Sequence, residues 1–304
     1  MEYHVPVMLA ECIEGLNIRP DGTYVDVTFG GGGHSRAIME QLGPNGRLFA
    51  FDQDEDALRN SIDDPRFCLI HENFRHMKSF LRLQGVRQVD GILGDLGVSS
   101  HQFDEGSRGF TFRTDGELDL RMDRRQESSA KELVNQLEEE ELKRVLKLYG
   151  ELPNAGAMAK AICAARREKA IETTFELRDA VKRHLPRNQE NKFLAMLFQA
   201  LRIEVNGELE ALKAMLQQAI EVLAPEGRLV IMSYHSLEDR LVKNLMKTGN
   251  FEGELEKDFF GNPIVPLKLV SRKAITPSEE ELQRNNRSRS AKLRVAEKIA
   301  GEKE

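Results

Sequence analysis

"DVTFGGGGHS", residues 26–35, sets four consecutive glycines directly behind a short β-branched and aromatic run. Glycine surrenders backbone order, and in return allows a tight turn and close approach of the backbone to a ligand. Four in a row is a costly way to build an ordinary turn, and dense local packing is the competing explanation. The preceding "TYVDVTF" (23–29) has the residue types of a strand. The following "SRAIMEQL" (35–42) has helical spacing, with Ile38, Met39 and Leu42 on one side and a stop at Gly43-Pro44. Strand, glycine turn and helix in that order open an α/β domain.

The alternation continues outward from this point. "GRLFAFDQD" (46–54) reads as a second strand ending in acids, and "DEDALRNSI" (54–62) as a helix with Asp54 as its cap. "RFCLIHENF" (66–74) is a third strand and "MKSFLRLQGV" (77–86) a third helix. "VDGILGDLGVSS" (89–100) is a fourth strand that breaks into a polar loop. Links this short imply a parallel sheet covered on both faces.

Residues 101–125 then form a Gly- and charge-rich connection, too long for a tight link. From Ser128 to about Arg202 the pattern is helical throughout, with capping boxes from Ser129 to Glu132 and from Thr173 to Glu176. "NKFLAMLFQALRIEV" (191–205) carries a broad apolar face and reads as core. The alternation resumes with an amphipathic helix (207–227), the strand "RLVIMSYHS" (228–236) and the helix "LEDRLVKNLM" (237–246). "PLKLVSRKAI" (266–275) and "AKLRVAEKI" (291–299) are two strand-like runs without a helix between them, which pair more naturally antiparallel. The expected organisation is an α/β domain over 1–125 and 206–304, interrupted by an all-helical domain over 126–205.

The chain has 304 residues, 40% hydrophobic and 31% charged, which is enough to bury a sizeable core. Its longest apolar stretches fall far short of the roughly 20 residues that span a bilayer. Its first residues show neither a basic leader nor an extended apolar segment, so no secretory signal and no membrane partner are expected. The three cysteines, Cys12, Cys68 and Cys163, are isolated and lack a histidine at metal-ligand spacing. A disulfide framework and a metal site are therefore not expected, and a reducing cytoplasm fits.

The net charge of −6 argues against nucleic-acid binding over the whole surface but leaves room for a local basic face. Residues 160–187 carry eight Lys/Arg against four Asp/Glu, and residues 284–298 six against one. Either stretch alone is as well read as a solvated face, whereas two in an otherwise acidic chain favour a polyanion-binding surface.

A glycine turn after the first strand suits a dinucleotide or S-adenosylmethionine. The dinucleotide fingerprint needs Gly or Ala three residues past its second glycine, where this chain has Ser35 or Arg36, depending on the starting glycine. A phosphate-cradling loop also fails, because no G-K-[ST] follows. Asp52, at the end of the second strand, can accept from both ribose hydroxyls of a nucleoside cofactor, or else cap a helix. Phe74 and Asp95 reach the same sheet edge from strands three and four. Phe74 could flank an adenine ring or simply belong to the core.

Longer strings carry a family resemblance: "YHVPVML" (3–9), "FGGGGHS" (29–35), "DLGVSSHQFD" (95–104), "RGFTFRTDGELDLRMD" (108–123), "SYHSLEDRLVK" (233–243) and the closing "NNRSRSAKLRVAEK" (285–298). On these the chain resembles the ribosomal RNA small-subunit methyltransferase H family, the S-adenosylmethionine-dependent N4-cytosine methyltransferases of bacterial 16S rRNA. Val27 and His101 depart beside the matched positions. The resemblance implies a class I, Rossmann-like methyltransferase fold with an inserted helical domain, S-adenosyl-L-methionine as cofactor and a cytosine in the decoding region of the small ribosomal subunit as target. It implies cofactor contacts from Gly32, Gly33, His34, Asp52, Phe74, Asp95 and Gln102. Whether the protein is a homodimer is left open.

The chemistry of an exocyclic amine fits the residues. Methylating carbon-5 of cytosine needs a cysteine nucleophile, and no cysteine falls in a strand-end loop. An amine nitrogen can attack directly, helped by acceptors that draw its lone pair out of the ring. Asp95 is the catalytic candidate. The "DLGVSS" loop (95–100) lacks the prolines and aromatic that amino-methyltransferases usually carry there. His235 is a further candidate for substrate positioning, with a structural role as the alternative. The base must be unpaired or flipped out, and the helical insertion and basic tail are expected to face the RNA. A class I enzyme acting on another amine, or a non-catalytic RNA-binding assembly factor, is the alternative reading.

Overall fold

The computed structural model describes residues 6–300, so Tyr3, His4 and Val5 of the string at 3–9 lie outside the described residues. The chain forms two compact units, one running to Gly97 and resuming at Leu209, the other Val98–Glu208. The first unit opens with α1 (Leu9–Leu16), β1 (Thr23–Asp26), α2 (Gly33–Gln41), β2 (Arg47–Asp52), β3 (Phe67–His71), α3 (Met77–Leu83) and β4 (Val89–Asp95). The second unit holds α4 (Ser100–Asp104), α5 (Ala130–Gln136), α6 (Glu139–Leu148), α7 (Ala155–Glu168), α8 (Thr174–Val181) and α9 (Glu190–Asn206). The chain returns through α10 (Glu208–Val222), β5 (Leu223–Ser233), α11 (Ser236–Thr248), β6 (Leu267–Leu269), α12 (Glu279–Arg284) and β7 (Lys292–Lys298).

Among the described residues seven strands make one sheet in the order β3-β2-β1-β4-β5-β7-β6. The first five are parallel, and β7 runs antiparallel between β5 and β6. This is the class I, Rossmann-like methyltransferase arrangement. Strand order reverses between β1 and β4, and open α/β sheets bind ligands at the carboxyl ends of strands flanking such a reversal.

Strand side chains alternate between faces. Tyr24, Leu48, Leu93, Val230 and Met232 pack with Cys12 and Leu16 of α1 and Ile38 of α2. Val25, Phe49, Ile92, Leu229 and Ile231 pack with α3, α10 and α11 on the other face. On α10 the buried Leu212, Met215, Leu216, Ala219 and Val222 recur at the helical period, which is why that helix lies flat on the sheet.

The second unit has its own core, and that core moves a boundary. Phe110, Leu118, Leu120 and Met122 pack into the same cluster as α5 through α9. Asn206 fastens this segment: its Oδ1 accepts the Met122 N–H at 2.7 Å and its Nδ2 donates to the Leu120 carbonyl at 2.8 Å. Residues 98–125 therefore belong with the helices, not with the α/β domain to which the expectation assigned them. Their polar composition hides a few apolar anchors. Both expected capping boxes form, at Ser129 and Thr173.

Smaller differences have local causes. Residues 55–60 form a 3₁₀ helix in place of an α-helix, with Asp54 capping it by accepting the Asp56 N–H at 3.1 Å. β6 is only three residues long. β5 begins at Leu223, ahead of the expected Arg228, and a register shift opposite Val89 and Gly91 accommodates Pro225 and a left-handed Glu226. Among the described residues no helix is long and apolar enough to cross a membrane.

Candidate active site

The glycine stretch is shaped from within except at one position. Beyond β1 the backbone stays extended between its neighbours, with the Val27 N–H donating to Leu93 O and the Phe29 N–H to Phe51 O, both at 2.9 Å. Gly30 and Gly32 then take φ of +51° and +75°, the left-handed region where a side chain is strained. A Cβ on Gly33 would stand 2.1 Å from Pro6 Cγ. Gly31 has neither constraint: its φ is not left-handed, and among the described residues a Cβ there would meet nothing within 4 Å. The carbonyls of Gly30 and Gly31 are held by Asn60 Nδ2 at 3.1 Å and Arg36 Nη1 at 2.7 Å, so the loop is fixed.

Asp52 closes β2 beside this loop. Its Oδ2 accepts the Gly30 N–H at 2.7 Å and its Oδ1 the Asp54 N–H at 2.8 Å, which leaves an acceptor lone pair on each oxygen. Burial pushes its carboxyl up to about 6 against the two N–H donors, which favour the charged form. Asp26, at the end of β1, ties the strand to α2 by accepting from Ser35 Oγ at 2.7 Å and the Thr28 N–H at 3.0 Å.

Asp95 ends β4, the strand across the order reversal. Its N–H donates to Thr28 Oγ1 at 2.7 Å, joining it to the glycine turn, and its Oδ1 accepts the Tyr234 hydroxyl at 2.7 Å. Burial raises this carboxyl to about 6 as well, opposed by the neighbouring His34 and the Tyr234 hydrogen bond. His34, in the first turn of α2, lies with Nε2 3.1 Å from the Val7 carbonyl. A carbonyl only accepts, so Nε2 carries a proton, and Nδ1 lies 3.9 Å from Asp95 Oδ2.

Of the seven expected cofactor residues, Gly32, Gly33, His34, Asp52 and Asp95 come together at this edge. Phe74 stands one strand further out, opening a one-turn 3₁₀ helix after β3 and packing partly against the core. Gln102 lies on the helical unit, in α4, where its Oε1 accepts the Ser99 N–H at 3.1 Å in a capping box. His235 caps α11, with its Nδ1 accepting the Glu238 N–H at 3.4 Å. Tyr234, beside it in the chain, is the residue that reaches Asp95. The expected strand (228–236) ran through Tyr234, which the structure places just past the end of β5.

A family description, the MraW methylase family, matches residues 1–299. The chain is 57% identical over 299 residues to a ribosomal RNA small subunit methyltransferase H of Flavobacterium johnsoniae, covering 98% of this chain and 99% of the relative. It is 57% identical over 298 residues to the protein of the same name in Bacteroides thetaiotaomicron, covering 98% of each. The chain belongs to the MraW methylase family.

S-adenosyl-L-methionine is the methyl donor of MraW methylases, and the residues present fit it. The missing Cβ of Gly31 serves no internal purpose, so the space it leaves suits a ligand lying against the loop. Asp52 offers one open lone pair per oxygen, as a ribose diol requires.

Proposed function

We propose that this MraW methylase transfers the methyl group of S-adenosyl-L-methionine to the exocyclic N4 of a cytosine in 16S rRNA, in the decoding region of the small ribosomal subunit. The observation that carries the reading is the Asp95 carboxylate, pinned at the end of β4 beside the glycine turn. The names of its relatives supply the RNA, and an acceptor so placed suits an amine.

Asp52 holds the ribose, and the turn at Gly31, Gly32 and Gly33 lets the cofactor lie close to the backbone. His34, Phe74 and Gln102 complete the cofactor contacts. When bound, S-adenosylmethionine supplies a methyl group on a positively charged sulfur. Asp95 accepts a hydrogen bond from the amine, which draws the nitrogen lone pair out of conjugation and toward the methyl carbon. Most of the remaining rate comes from alignment.

A thiol mechanism on carbon-5 has little support. Burial pushes the Cys12 and Cys68 thiols up, away from the thiolate, and Cys163 is buried in α7. The helical unit supplies RNA contacts through cations standing exposed on its surface, among them Arg167, Lys182, Arg183 and Arg187.

The test is to incubate the purified protein with methyl-labelled cofactor and small subunits lacking the modification, then digest the RNA to nucleosides. Label in N4-methylcytidine is the expected result. Label in another nucleoside overturns the amine assignment. Cofactor binding without any transfer to subunits or their RNA overturns the substrate.

A further inference from the structure

Asp95 is held from one side by a phenol that nothing in the reaction yet uses. Tyr234 follows β5, and its hydroxyl donates to Asp95 Oδ1 at 2.7 Å. Its ring packs against Gly97, where a Cβ would approach Tyr234 Cδ2 to 3.3 Å, so the phenol has a fixed seat. The backbone around it is also fixed, because the Tyr234 N–H donates to Glu238 Oε2 at 3.0 Å in the cap of α11. The phenol is a permanent donor: burial and the adjacent Asp95 charge raise its pKa far above neutrality. Oδ1 takes the phenol's hydrogen bond, which leaves Oδ2 the more open oxygen for a substrate, and His34 Nδ1 stands 3.9 Å from it.

We infer that Tyr234 is a positioning residue for methyl transfer: it locks the Asp95 carboxylate so that Oδ2 faces the target amine and receives its proton. This rests on Asp95 being the amine's acceptor, the reading proposed above. In the step, the amine nitrogen bonds to the methyl carbon and the sulfur–carbon bond breaks with its electron pair left on sulfur. The N4 proton goes to Oδ2 of Asp95.

The charged and titratable groups facing Asp95 are His34 from α2, Asp26 from β1, Glu238 from α11, Cys12 from α1 and Tyr234 itself. Of the hydrogen bonds among these, that from Tyr234 is the one that favours the ionised carboxylate directly. Removing it raises the pH at which Asp95 becomes an acceptor.

The experiment compares Tyr234→Phe and Asp95→Asn with the wild type in the full chain. The readouts are cofactor Kd by calorimetry, and kcat and KM on unmodified small subunits across the acid limb of the pH profile. For Tyr234→Phe the expected result is a Kd within about twofold of wild type, which also reports a folded pocket. Its kcat should be roughly tenfold lower with little change in KM, as for one positioned hydrogen bond, and its acid limb displaced to higher pH. Unchanged kcat and pH profile in Tyr234→Phe, with Asp95→Asn inactive, overturn the role of Tyr234 alone. An Asp95→Asn enzyme that turns over near the wild-type rate at saturating cofactor overturns the acceptor reading beneath it.

Discussion

The Gly30 N–H donates to Oδ2 of Asp52 across 2.7 Å, joining two residues 22 positions apart in the chain. The bond makes the glycine turn and the acid at the end of β2 a single rigid unit, so the cofactor meets a surface already in place. Preorganisation of this kind lowers the cost of ordering the site on binding.

Asp52→Asn tests that unit. An amide can accept at one end only, so either the Gly30 or the Asp54 N–H faces a donor. Cofactor Kd should rise by about tenfold or more, since a ribose hydroxyl loses its charged acceptor, a hydrogen bond worth roughly 1.5–3 kcal/mol. Calorimetry reads it directly, and an unchanged Kd removes Asp52 from the cofactor site.

Gly31→Ala separates ligand contact from fold. A methyl group there meets no protein atom and needs no left-handed backbone, so the melting temperature should stay within a degree or two. Cofactor affinity should nevertheless fall. Gly32→Ala is the contrast: its φ of +75° and a Cβ 2.6 Å from Arg36 Nη1 should destabilise the protein, by about 1–2 kcal/mol from the backbone alone. Equal losses of stability in the two variants count against an external ligand at Gly31.

Asp95 gives a pH signature of known sign. Its carboxyl is raised from 3.8 to about 6, so the native state holds a proton that the unfolded chain releases. Stability conferred by this group is therefore full below 3.8, declines as pH rises to about 6 and is level above. With Asp95 as the amine's acceptor, as proposed, activity should rise over the same interval, so the two trends should oppose each other. The melting-temperature difference between wild type and Asp95→Asn should shrink or reverse as pH climbs through that window. A flat difference means the carboxyl is not raised.

The order of strands and helices was legible because the buried strands are short continuous apolar runs bounded by turn residues, while α10 and α9 carry the 3.6 period. The glycine turn, Asp52 and Asp95 were legible because strand ends in a parallel sheet converge on one edge. Tyr234 was not singled out, since sequence cannot tell which residues at a strand end turn toward Asp95. The membership of residues 98–125 was hidden for a related reason. Leu118, Leu120 and Met122 alternate with Asp119 and Arg121 as strand residues would, yet form no strand, and only their packing with Phe110 into the helical core ties them to it. The N-terminal α1 went unread, although Leu9, Cys12, Ile13 and Leu16 keep helical spacing.

The basic stretch at 160–187 divides once its side chains are placed, and the division decides how RNA binding is tested. Arg166 donates from Nη1 to the Val134 carbonyl at 2.8 Å, bracing α7 against α5, so its reversal would disturb the helical unit itself. Lys169 pairs with Glu176, and Arg178 lies over the Phe175 ring at 3.7 Å. Arg167, Arg183 and Arg187 are exposed and are the better probes. Combined reversal to glutamate should weaken binding to unmodified small-subunit RNA by about tenfold or more at low salt, and should lower the steepness of its salt dependence. Cofactor Kd and melting temperature should hold. RNA affinity and salt slope equal to wild type would move the RNA-facing surface off this unit, whereas loss of cofactor binding in the same variant would point to damage to the fold.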